Sequence, residues 1–153
     1  MGNARWVGGD LQLSSGTILD EHISASTNVD ADKLQHVYKP GTNFATAIGG
    51  TPATREEIAF VASTSGVIRG FHATLNDTGT STSIAFDLKV NGVSVLSSAV
   101  SITHSDADKS ISDGTVSSPV LAVGDIVSIS MAVTSATGAQ GAFAWAEIEE
   151  TAP

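Results

Sequence analysis

The chain has 153 residues, the size of one ordinary domain, and a net charge of −9 from 16 acidic and 7 basic residues. That balance, with no basic run, argues against nucleic acid, whose phosphates must be neutralised by Lys and Arg, and against an anionic membrane surface. There is no cysteine, which excludes a disulfide scaffold, a thiolate zinc site and a cysteine nucleophile.

No apolar run approaches the ~20 residues that cross a bilayer as a helix. Met1 to Asp10 holds one Arg and no apolar core, so no signal peptide is expected there. The protein is then expected to act in the cell that makes it, or to leave without Sec-type export, for instance on lysis. Only 15% of residues are charged, and Ser, Thr, Ala, Gly and Val abound, a composition of pleated sheets and tight turns rather than long helices.

Residues 1–50 are expected as an extended N-terminal arm, because their apolar residues are sparse and follow no sustained period. Thr17 is placed to cap a helical turn containing Asp20 and Glu21. Asn28 is placed to cap another, with Asp30 and Asp32 near its start and His36 near its end. Neither is long enough to stand alone in water. Trp6, Ile18, Leu19, Ile23, Leu34, Tyr38 and Phe44 are spaced along the arm like anchors, so it is expected to order against its own sandwich or a partner.

Residues 51–153 read as a β-sandwich. Ile58 to Ala62 and Gly66 to Leu75 are two strands joined by Ser63-Thr64-Ser65-Gly66. Ser83 to Val90 alternates strictly, with Ile84, Phe86, Leu88 and Val90 on one face. Asn91-Gly92 follows, and Val93 to Leu96 returns, a type I′ hairpin. Ser98 to Thr103 and Lys109 to Val116 are weaker strands. Leu121 to Asp125 is a tight turn into Asp125 to Thr134, whose apolar face is Val127, Ile129, Met131 and Val133. Gly141 to Glu149 ends the series, with Ala142, Ala144, Ala146 and Ile148 on one side and Phe143 and Trp145 on the other. Seven or eight short strands with regular turns predict a jelly-roll-like or Ig-like antiparallel β-sandwich.

No residue constellation in this sequence points to catalysis. The four histidines show no zinc-enzyme spacing. His22 and His36 would bind a metal only if a symmetric oligomer joined them, and solvated or capping roles are the simpler expectation. His72 is expected to be part-buried and satisfied. Asp30 with Asp32, and Asp106 with Asp108, are too few oxygens for a calcium loop and are expected in solvated loops or at a helix start. Glu147, Glu149 and Glu150 are read as a charged exit from the sheet that guards an edge. No nucleophile elbow or phosphate loop occurs. Trp145 is the one Trp of the strand region, so support for a sugar site is thin. No cofactor is implied.

The order of Ile18-Leu19-Asp20-Glu21-His22-Ile23, Asp32-Lys33-Leu34-Gln35-His36, the Phe86 to Leu96 hairpin and Leu121 to Val127 resembles tailed-bacteriophage head decoration, or capsid cement, proteins. The resemblance runs from about residue 17 to 150. It implies a jelly-roll-like or tulip-like β domain, usually a homotrimer, on the capsid exterior, with arms reaching neighbouring subunits or the major capsid protein and no catalytic residues. Trp6, Ile18, Leu19, Ile23, Leu34 and Tyr38 would be the partner-binding anchors. The other reading is a head-fibre or tail-fibre module that binds a receptor or glycan. An enzyme, most plausibly a glycan hydrolase using paired acids, has only the chain-end carboxylates in its favour.

Overall fold

A computed structural model of the chain describes residues 5–7, 10–12, 36–38 and 44–150. Among these there is no helix. The strands are β1 (Arg5–Val7), β2 (Asp10–Gln12), β3 (His36–Tyr38), β4 (Phe44–Ala45), β5 (Arg55–Val61), β6 (Gly66–Asp77) and β7 (Ser81–Val90). Then follow β8 (Val93–Ser94), β9 (Val100–Thr103), β10 (Ser112–Gly114), β11 (Val120–Leu121), β12 (Ile126–Thr137) and β13 (Gln140–Glu150).

The fold is an antiparallel β-sandwich. One sheet runs β10-β6-β13-β3, with β11 also on β6 and β4 also on β13. The other runs β5-β12-β7-β8, with β9 also on β7. β1 and β2 form a hairpin of their own, Trp6 opposite Leu11. The alternation read from the sequence places the core. Ile84, Phe86 and Leu88 of β7 and Val127, Ile129 and Met131 of β12 are buried from one sheet. They meet Phe71, Ala73, Leu75, Ala142, Ala144 and Ala146 from the other. The small alanines of β13 let the sheets approach, and bulky residues on β6 and β7 fill the space.

The Asn91-Gly92 turn is as expected: φ is +50° at Asn91 and +81° at Gly92, the positive pair a type I′ turn requires. Asn91 also clasps the neighbouring turn. Its Nδ2 donates to Asp125 Oδ1 at 2.8 Å, and its Oδ1 accepts from the Ile126 N–H at 3.0 Å. Asp125 Oδ2 accepts from the Ala122 N–H at 2.7 Å. That backbone hydrogen bond first, then Asn91, holds the Asp125 carboxyl below its usual range.

Several expectations are corrected or refined. At Glu149 and Glu150, β13 lies between β6 and β3, so these two acids guard no sheet edge. Glu149 is 8% exposed and pairs with Arg69, where a solvated exit was expected. Asp106 and Asp108 act as turn staples. Asp106 accepts from the Thr103 N–H at 2.7 Å, and Asp108 from the N–H of buried Thr78 at 2.8 Å. Leu121, read as part of a turn, pairs with Gly66 in β11. The stretch expected as an arm supplies β3 and β4, which pair with β13. His36, expected near a helix end, opens β3. The helical turns expected after Thr17 and Asn28 otherwise lie outside the described residues.

Candidate functional site

Two surfaces carry side chains that the core does not absorb. The first is one end of the sandwich. The turns after β5 and β11 both cross between the sheets there, and the Ala62 N–H donates to Asp125 O at 2.8 Å. Val61 and Ile126 are opposite each other across β5 and β12, and Val90 is opposite Val93 where β7 turns into β8. Val61, Val93, Val120, Val123 and Ile126 are 43–74% exposed, five branched aliphatics at one end of the fold. Along its flank a shallow depression of about 400 Å³ is lined by Glu56, Glu57, Ile58 and Ser128 among others. Lys89 Nζ donates to Glu56 Oε2 and Ser128 Oγ to Glu56 Oε1, each at 2.7 Å, and the two lower the Glu56 carboxyl below its usual range, Lys89 most.

The arm joins at this same end. β3 runs antiparallel to the last residues of β13, with His36 opposite Glu150 and Tyr38 opposite Ile148. Glu150 is in turn opposite Gly66, where β6 begins. Of the expected anchors, Trp6 lies in β1 and Tyr38 in β3, while Ile18, Leu19, Ile23 and Leu34 are outside the described residues. Phe44 is buried in the core, 1% exposed and edge-on to Phe86 with ring centroids 6.1 Å apart. The exposed valines were missed because, singly, each reads as an ordinary strand residue. Only the turns bring these strand ends to one end of the fold, Val61 and Ile126 on the five-stranded side and Val120, opposite Val67, on the six-stranded side.

The second surface is the outer face of the six-stranded sheet. A bulge in β6 shapes it: Gly70 is opposite Glu147 but Ile68 is opposite Ile148, so Arg69 is the extra residue. The bulge reverses the in-out parity. Ile68 and Phe71, three apart, both reach the core, and Gly70 and His72 face out. Asp113, His72 and Trp145 then form one row across β10, β6 and β13. The His72 ring stacks on Trp145, centroids 5.0 Å apart at 29°, and Phe143 lies 5.4 Å from Trp145 at 35°. His72 Nδ1 and Asp113 Oδ1 are 2.6 Å apart; with the carboxylate accepting, Nδ1 is the donor. Nε2 is buried with no hydrogen-bond partner among the described residues, and Glu147 Oε1 is 3.9 Å away. His72 is therefore part-buried as expected but satisfied on one nitrogen only. Gly70 makes room for it: a Cβ there would sit 2.8 Å from His72 Nε2.

Among the described residues no group of three or more His, Cys, Asp or Glu is arranged to hold a metal ion. No helix of the described residues is long and apolar enough to cross a membrane.

No family model and no curated protein matches the chain. Among solved structures it is similar to a carbohydrate-binding module, CBM36 in complex with calcium and xylotriose. The identity is 22% and the TM-score 0.32, over 80% of this chain and 96% of that one. A score at that level leaves the function of this chain to its own geometry.

Proposed function

We propose that the chain is a virion structural protein that decorates the outside of a phage capsid and stabilises it by bridging capsid subunits. The observation that carries this reading is the meeting of the arm's root and the exposed aliphatics at one end of the sandwich. A domain that stands on a larger surface needs an apolar foot. A chain segment leaving from that foot reaches neighbouring subunits without crossing the domain. Each CH₂ taken from water contributes about 0.8 kcal/mol, so five aliphatics make a useful contact area. An arm on a second subunit adds affinity through effective concentration. A homotrimer would multiply both contacts, with the major capsid protein as partner. The charge of −9 would keep a densely displayed protein soluble and suits the shell exterior, away from packaged nucleic acid.

Occupancy of purified capsids by three proteins tests this: the full chain, a chain lacking residues 1–35, and Val93→Asp/Val123→Asp. Both valines are more than two-thirds exposed, so the double substitution has little effect on folding. Loss of occupancy in both variants is expected. Full occupancy by both would overturn the reading.

A further inference from the structure

The strip of Phe143, Trp145 and His72 lies on the outer face of the six-stranded sheet, away from the end where β3 meets β13. We propose that this strip is a binding site for a neutral saccharide. A sugar ring has an apolar face of C–H groups and a rim of hydroxyls. It is recognised by aromatic rings flanked by hydrogen-bond acceptors. Both are present here. Phe143 is 37% exposed, and its ring continues the Trp145–His72 stack. Asp113 closes one end of the row with a side chain 74% exposed. One of its oxygens is held by His72, and the second is placed to accept from a ligand hydroxyl. Thr74, opposite Phe143, brings a hydroxyl to the same face.

Charge selects among sugars. Asp113, Glu147 and Glu149 lie on or beside the strip, and the nearby cation, Arg69, is engaged by Glu149. A uronic acid, sialic acid or phosphorylated glycan would meet net repulsion, and a neutral polyol would not. Size argues against a protein partner here. Three rings fall well short of the roughly 800 Å² per side that a stable protein interface buries.

The strip is set before any ligand arrives. Asp113 pins the His72 ring, and the missing Cβ of Gly70 leaves room for its Nε2 edge where it stacks on Trp145. Gly70 and Asp113 are thus positioning residues, and rigid rings lose little entropy on binding.

The test is titration of the full chain with a panel of soluble neutral oligosaccharides and a matched panel bearing uronic acids. It is read by calorimetry and by tryptophan fluorescence. At least one neutral oligosaccharide is expected to bind. Phe143→Ala, at an exposed position, should weaken it by about tenfold, roughly 1.4 kcal/mol. Trp145→Phe keeps the packing and should also weaken it, and Gly70→Ala should weaken it while shifting the tryptophan emission. Binding unchanged by Phe143→Ala and Trp145→Phe would overturn the inference. So would preference for the acidic panel, or no neutral sugar bound by folded protein. If Phe143→Ala instead lowers capsid occupancy with no sugar bound, the strip is a protein contact and the inference fails. The capsid reading stands or falls separately, on the arm deletion and the valine substitutions.

Discussion

Replacing Phe44 by Ala removes a ring from the centre of the core at a position outside the periodic strands. Phe44 sits in β4, 1% exposed, and closes the space between the sheets against Phe86. Truncating a buried Phe to Ala costs about 3–5 kcal/mol through lost transfer energy and the cavity left behind. The edge-to-face pair with Phe86 accounts for roughly 0.5–1.5 kcal/mol of that. Arg55 adds a contact from outside. Its guanidinium lies 4.7 Å from the Phe44 ring centroid, and its Nη2 donates to Ala45 O at 2.8 Å. A part-exposed cation over a ring contributes about 0.5–1 kcal/mol. The expected loss for Phe44→Ala is therefore about 4 kcal/mol, a large share of the ~5–15 kcal/mol that holds a typical domain folded. Phe44→Leu keeps most of the volume, loses the ring contacts, and should cost about 1.5 kcal/mol. Equilibrium urea unfolding followed by far-ultraviolet circular dichroism reads both. With a slope near 2 kcal/mol per molar urea, the midpoints should fall by roughly 2 M and 0.8 M. A loss below about 1 kcal/mol for Phe44→Ala would refute the reasoning, because no fully buried phenylalanine between two sheets is that dispensable. It would mean that β4 does not close the core, and that the arm is not rooted in the sandwich.

Two further outcomes follow from the polar contacts. Thr78 is buried, and its hydroxyl lies 3.1 Å from Asp106 O and 3.0 Å from Asp108 Oδ1. One proton serves one acceptor at a time, so Thr78→Val should cost about 1.5 kcal/mol and lower the melting temperature by roughly 5 °C. An unchanged melting temperature would show that the staple adds nothing. Glu56, Asp108 and Asp125 all have carboxyls held below their usual range, chiefly by hydrogen bonds from Lys89, the Thr78 N–H and the Ala122 N–H respectively. A depressed folded value stabilises the native state fully above the unfolded value near 4, and the contribution drains as pH falls through the folded values. The urea midpoint should therefore fall between about pH 5 and pH 2, and Asp125→Asn should flatten part of that slope. A flat profile for the parent chain would contradict these assignments.

Alternation alone determined which residues of β7, β12 and β13 face the core, because a strand's in-out pattern is a local property of the pleat. Asn91-Gly92 determined its own turn, since backbone sterics at positive φ act within two residues. The acid pairs show the limit of local reading. Asp108 looks like a loop acid until the Thr78 N–H, 30 residues away, is placed against it, whereas Asp106 staples its turn locally through the Thr103 N–H. The bulge at Arg69 belongs only to the tertiary structure, since an extra residue exists only relative to a partner strand. Alternation from Phe71 to Leu75 turns His72 outward, while the row of Asp113, His72 and Trp145 comes from the register of β10, β6 and β13. The apolar foot likewise required the turns to gather five strand ends and loops that the sequence scatters between residues 61 and 126. Periodicity sorts side chains to inside or outside one strand at a time. Which outward side chains become neighbours is decided by the register of hydrogen bonds between distant strands, and so by the closing of the whole sandwich.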